Sequence, residues 1–152
     1  MYRKEYPTLV SDLATDCQIL YEGLLGSHRE TCYGIWDTGS FHTAISTRFA
    51  KKLEAIVYPS DTKVQSLMGT QIAGETNVSV FLGELVIPHI NVLVLDYKAE
   101  PGVEYPDILI GMDIISRGRF EVDCMSGHTI VSFDVKKDEQ GNPLFQQLVY
   151  SK

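Results

Sequence analysis

Ile35-Trp36-Asp37-Thr38-Gly39-Ser40 is an apolar pair running straight into a carboxylate, a hydroxyl, a glycine and a second hydroxyl. Apolar residues ending an incoming strand deliver the Asp37 carboxylate to the strand's end. Gly39 lets the backbone turn sharply there and approach a ligand. This is how a carboxylate is presented at the floor of a cleft. Three residues alone are weak evidence, so the rest of the chain has to supply context.

The context comes about half the chain later, in Ile108-Leu109-Ile110-Gly111-Met112-Asp113-Ile114-Ile115. An apolar run again meets a glycine, and a short helix follows. Together the two segments resemble the aspartic proteases of the retroviral type (retropepsin-like). In that family a D-T-G-[AS] turn precedes a flap hairpin, and an apolar-apolar-Gly-x-Asp segment opens a short helix. The resemblance covers about Gln18 to Phe133. It implies an all-β fold, a closed barrel of antiparallel strands with a flap hairpin and one or two short helices.

The strand signals fit an all-β chain. Gln18–Leu24 and Cys32–Trp36 read as a hairpin around the polar Ser27-His28-Arg29-Glu30. Ser46 can cap a helix over Thr47–Leu53. Lys63–Met68 and Thr76–Leu82 flank a Gly-bounded segment, the pattern of a hairpin with a mobile tip. Leu85–Leu95 is strand-like, with Pro88 marking an edge or bulge. Phe120–Asp123 and Thr129–Phe133 form a last hairpin. The polar tail from Lys136 ends in the apolar Leu144–Tyr150, a strand available to a partner subunit. The expected organisation is an N-terminal extension over 1–17, the protease-like domain over 18–135 and a C-terminal tail over 136–152.

Composition narrows the function classes. The chain has 152 residues, 44% hydrophobic and 22% charged, ordinary for one globular domain. A net charge of -7 argues against nucleic acid, which needs clustered Lys and Arg. No apolar stretch is long enough for a membrane span, and the N-terminus has no secretory pattern, so a cytoplasmic protein is expected. Cys17, Cys32 and Cys124 are odd in number without C-x-x-C spacing, which predicts free thiols. The scattered histidines predict no metal site.

Hydrolysing a peptide bond with carboxylates takes two of them sharing one proton. The ionised one draws a proton from water, and the protonated one bonds the scissile carbonyl. A chain with one Asp-Thr-Gly can build that dyad from Asp37 and its copy across a two-fold axis. The resemblance therefore implies a homodimer acting on polypeptide without a cofactor. It puts Asp37, Thr38 and Gly39 in the catalytic loop, with Thr38 bracing the axis. Ser40, Ile110 and the flap residues Met68, Gly69, Thr70, Gln71 and Ile72 are expected to line the substrate path. Gly69 and Gly74 are the expected hinge glycines. A Ser40 hydroxyl bonded to the carboxylate would favour its charged form and move the active pH range downward. Gly111 and Asp113 are expected to brace the loop from behind. Arg117 and Arg48 are candidate partners for Asp113, and a solvated helix carboxylate is the alternative.

Three departures from the family stand out. Phe41-His42 occupy the place where viral members often carry acidic residues that grip substrate. Trp36 is bulkier than the usual aliphatic residue, and both ends are longer than in minimal viral enzymes. A second hypothesis is a catalytically weak or silent module of the same fold, used for dimerisation or peptide binding, since a neutral pH favours deprotonation of both carboxylates.

Overall fold

The structure is a computed structural model, and it describes residues 1–66, 69–96 and 105–141. The first hairpin pairs β2 (Ala14–Gly23) with β3 (Gly26–Trp36), in register from Ala14 opposite Ile35 to Gly23 opposite Gly26. Its turn is Leu24-Leu25, not the polar Ser27–Glu30 segment expected from the sequence. Gly26, at φ +135°, takes a backbone conformation that disfavours a side chain, so reversal occurs there and both leucines are fully exposed.

After the Asp37 turn come β4 (Ala44–Ser46) and α1 (Thr47–Lys52). Ser46 caps α1 as expected, its Oγ accepting from Phe49 N at 3.0 Å, a bond worth about 1 kcal/mol. Phe49 and Leu53 are then driven into the core. β5 (Tyr58–Ser66) and β6 (Gly69–Leu82) form the second hairpin, and β7 (Leu85–Leu95) returns along β6. The expected irregularity at Pro88 is present. Val78 faces Ile90 and Val80 faces Ile87, so Ser79 opposes both Pro88 and His89. His89 adopts φ +47° in this bulge and donates its N–H to Ser79 Oγ at 3.1 Å.

The short β8 (Ile108–Ile110) inserts between β3 and β4, and α2 (Met112–Ile115) follows it. The ring runs β2-β3-β8-β4-β7-β6 and closes through pairing of β2 with β6. It is not wholly antiparallel as expected: β8 runs parallel to β3, and β4 parallel to β7. Chain segments separated by the whole second hairpin enter the ring in the same direction, and the crossover connections make that possible.

A second, three-stranded sheet is ordered β1 (Tyr2–Glu5), β10 (Ile130–Val135), β9 (Gly118–Asp123). The boundary expected at Gln18 thus runs through the middle of β2, and β1 lies in the stretch expected to be an extension. Trp36 joins the two sheets. Its ring centroid lies 5.6 Å from Tyr2, 5.0 Å from Phe120 and 5.3 Å from Phe133. Such tilted aromatic contacts add to the burial of a large apolar surface. The bulk that looked anomalous before Asp37 fills this junction. Beside it the Tyr2 hydroxyl meets Thr15 Oγ1 at 2.5 Å, and the Tyr6 hydroxyl donates to the Ala14 carbonyl. Burial raises the pKa of Tyr2, and carries that of Tyr6 to about 12.

The expected tail strand Leu144–Tyr150 and most of the Tyr97–Tyr105 loop lie outside the described residues.

Candidate active site

β3 ends at Trp36, and Asp37 is the first residue beyond it. The loop from Asp37 to Thr43 then arches over the end of β8. Asp37 N donates to Ile110 O at 2.8 Å, Met112 N to Ser40 O at 2.8 Å and Asp113 N to Phe41 O at 3.2 Å. Three backbone bonds therefore fix the carboxylate-bearing loop to the Ile110–Asp113 segment. A β-carbon on Gly111 would lie 2.7 Å from His42 C and 2.9 Å from Ser40 O. Only glycine permits that approach of the two segments.

Asp37 is half-buried, while Thr38 and Gly39 are exposed. Asp37 Oδ1 accepts from Gly39 N at 3.0 Å, so the loop's own backbone orients the carboxylate. Ser40 departs from expectation. Its Oγ donates to His42 O at 2.7 Å, which turns the hydroxyl into the loop and removes the basis for a serine-lowered pH range in the single chain. The Phe41 ring is exposed and meets His42 edge-on at 4.8 Å.

Asp113 is buried, and its carboxylate is held by neither arginine proposed from the sequence. Oδ2 accepts from Thr43 N at 3.0 Å, and Oδ1 from Thr43 Oγ1 at 2.5 Å and Ile114 N at 2.9 Å. Arg117 Nε instead donates to the Asp113 carbonyl at 3.0 Å. Thr43, which the sequence reading did not single out, is the centre of this network: its Oγ1 also accepts from Gly111 N at 3.0 Å. A threonine six residues beyond the Asp37 carboxylate carried no signal of its own.

The residues expected to form a flap are distributed along two strands and beyond the described residues. Met68 lies outside the described residues. Gly69 pairs with Ser66 and Thr70 with Gln65, and Gly69–Leu82 is one continuous strand. Gly74 sits inside that strand, opposite Val94, with Val57 packed where its side chain would be; it is not a hinge. Gln71 clamps the end of β7, Nε2 donating to Asp96 O at 3.2 Å and Oε1 accepting from Asp96 N at 3.0 Å. Ile72 is exposed. Ile110 is fully buried, so it belongs to the barrel core and not to an open cleft wall.

Residues 18–114 match the family model described as aspartyl protease. The chain belongs to the aspartyl protease family. Its match spans the Asp37 loop, the second hairpin and the Gly111 segment. Two solved structures place the fold of this aspartyl protease family member. The protease of EIAV complexed with the inhibitor HBY-793 superposes with a TM-score of 0.53 at 19% identity, covering 73% of this chain and 90% of that one. A retropepsin-like aspartic protease from Rickettsia conorii gives 0.50 at 19% identity, covering 81% of this chain and 96% of that one. The fold is therefore retropepsin-like. No curated protein shows significant similarity to the chain.

Among the described residues no cluster of His, Cys, Asp and Glu could hold a metal ion. No helix among them is long and apolar enough to cross a membrane.

Proposed function

We propose that the protein is a homodimeric aspartic endopeptidase whose active site forms where two Asp37 loops meet. One observation carries this reading. The chain presents a single accessible motif carboxylate, that of Asp37, while Asp113, the other motif aspartate, is buried and fully engaged by Thr43 and Ile114. A dyad then has to be completed by a second copy of Asp37. Exposure of Thr38 and Gly39 in the single chain fits a loop that is covered on assembly.

In the dimer the two carboxylates share one proton, because like charges a few ångströms apart do not both ionise. The ionised Asp37 takes a proton from a water molecule as it attacks the scissile carbonyl carbon. The protonated Asp37 donates its proton to the carbonyl oxygen; the other Asp37 then passes the proton drawn from water to the leaving amine as the C–N bond breaks, and the first carboxylate takes back a proton from the diol hydroxyl. Thr38 of each chain braces the pair across the axis, and Gly39 and Ser40 form the cleft floor. An extended polypeptide lies against that floor as an added strand, under the β5–β6 hairpins, whose Gly69–Ile72 segments and Met68 cover it. No cofactor or metal enters the reaction.

The test is cleavage of a denatured protein mixture from acidic to neutral pH, by wild type and Asp37→Asn, at several enzyme concentrations. Cleavage by wild type alone, with specific activity rising with concentration, is expected. Equal cleavage by both proteins, or peptide binding without turnover at any pH, would leave the silent binding module as the better reading.

A further inference from the structure

Cys17 and Cys32 stand directly opposite one another in the β2–β3 ladder. Both side chains point to the barrel interior and both residues are buried. Their sulfurs lie 2.8 Å apart. Directly paired residues of antiparallel strands have α-carbons about 4.5–5.5 Å apart, inside the range a disulfide spans, so closure of the bond asks for no movement of the strands. The sequence predicted three unconnected thiols. Strand register, which no spacing rule reveals, has brought two of them together.

The pair also has an approach. A cleft of about 260 Å³ on the barrel surface is lined by Asp16, Cys17, Gln18, Thr31, Phe81 and Gly83. Cys17 borders it and Cys32 does not, though both residues are buried. The hydrogen bond between the two sulfurs, in which either thiol can donate, together with burial holds the Cys32 thiol well above the usual cysteine range.

We propose that Cys17 and Cys32 are a modification site: a dithiol that hydrogen peroxide converts into an intramolecular disulfide across the β2–β3 hairpin. Cys17, the residue that borders the cleft, reacts first. Its sulfur attacks one peroxide oxygen; the S–O bond forms, the O–O bond breaks, and the departing hydroxide takes the thiol proton and leaves as water. Cys32 sulfur then attacks Cys17 sulfur. The S–S bond forms, the S–O bond breaks, and the second water leaves with the Cys32 proton. Two thiols and one peroxide become one disulfide and two waters, the sulfurs giving up the two electrons that reduce the peroxide. The bond would tie the two strands together five residues before Asp37. Cys124, exposed near the β9–β10 turn, takes no part.

The test uses the folded, full-length protein exposed to hydrogen peroxide. Thiols are then alkylated after unfolding, the digest is mapped by mass spectrometry, and thermal unfolding is followed with and without dithiothreitol. A linked Cys17–Cys32 peptide is expected in wild type and in Cys124→Ser, with two thiols lost per chain and Cys124 still alkylated in wild type. The oxidised protein should melt about 5–10 °C higher, as closure of a loop of this length predicts, and dithiothreitol should reverse the shift. In Cys32→Ser, peroxide should leave Cys17 as a sulfenic acid open to dimedone. Full alkylation of Cys17 and Cys32 after peroxide, a disulfide through Cys124, or oxidation of either thiol without their linkage would overturn the proposal. The wild-type measurement alone decides, so a variant that folds poorly costs nothing.

Discussion

Thr43 and Asp113 are 70 residues apart in sequence and are joined by two hydrogen bonds, Thr43 N to Oδ2 at 3.0 Å and Thr43 Oγ1 to Oδ1 at 2.5 Å. The pair fastens the far end of the Asp37 loop to the start of α2. Both residues are buried, so each bond is strengthened by exclusion of water and each orphaned partner would be costly. Asp113→Ala is expected to lower stability by about 3 kcal/mol. Asp113→Asn keeps one acceptor but sets an amide group against the Thr43 N–H, and it should fall between the two. Urea unfolding of the three proteins checks the order. Equal midpoints would show that the network holds nothing.

Gly111 gives a prediction on shape alone. In Gly111→Ala the methyl group meets backbone atoms of Ser40 and His42 within 3.0 Å. Backbone cannot step aside as a flexible side chain does, so the Asp37 loop has to shift. Stability should fall by about 1–3 kcal/mol. Peptide cleavage should fall further than that figure implies, since the loop carries the carboxylate. Activity measured below the melting transition separates the two effects. An alanine variant with wild-type turnover would remove Gly111 from the loop's support.

Trp36 is the only tryptophan in the chain, so its fluorescence reports the junction of the two sheets. Emission should be blue-shifted and poorly quenched by acrylamide. Deleting residues 1–6 removes Tyr2 from its ring and should shift emission to the red. Trp36→Ala should cost about 3–5 kcal/mol, and Trp36→Phe distinctly less. Solvent-like emission from the intact protein would contradict this packing.

The tyrosines of the N-terminal arm make stability fall in strong alkali. Burial holds Tyr6 protonated to about pH 12 in the folded chain, against about 10 when unfolded. Between those values the unfolded state loses a proton that the folded state keeps, so stability declines as pH rises through the window and is unaffected below it. Tyr2, also raised, adds to the same trend. Tyr6→Phe should flatten the decline while lowering stability at neutral pH, because its bond to the Ala14 carbonyl is lost. Melting temperatures from pH 8 to 11.5 test both signs.

Much of this architecture can be read from residue order, and the reasons differ from element to element. The Asp37 turn and the Gly111 segment were legible because their constraints are local: an apolar run, a glycine, a carboxylate. The Ser46 cap and the Pro88 bulge were legible for the same reason. The Leu24-Leu25 turn was not, since two leucines beside a strand read as its continuation and a polar run reads as the turn. Partners set by distant pairing were also hidden. Nothing near Asp113 points to Thr43, nothing in the spacing of Cys17 and Cys32 gives their register, and β1 is too short to stand out until β10 pairs with it. Gln71 reads as a substrate residue because it lies near a hairpin tip, and its two hydrogen bonds to Asp96 emerge only in the folded chain.

The closure of the ring between β2 and β6 has a consequence for how the chain reaches its native state. That seam is three residue pairs long, Gln18–Leu20 against Phe81–Ser79. The two hairpins on either side form from neighbouring residues, but the seam joins segments some 60 residues apart, and the loop entropy must be met before its few bonds return anything. Its formation is therefore expected to lag behind the hairpins, giving refolding a slow phase. In native-state hydrogen exchange, the amides that bond across it should open at lower free energy than those of the β2–β3 ladder.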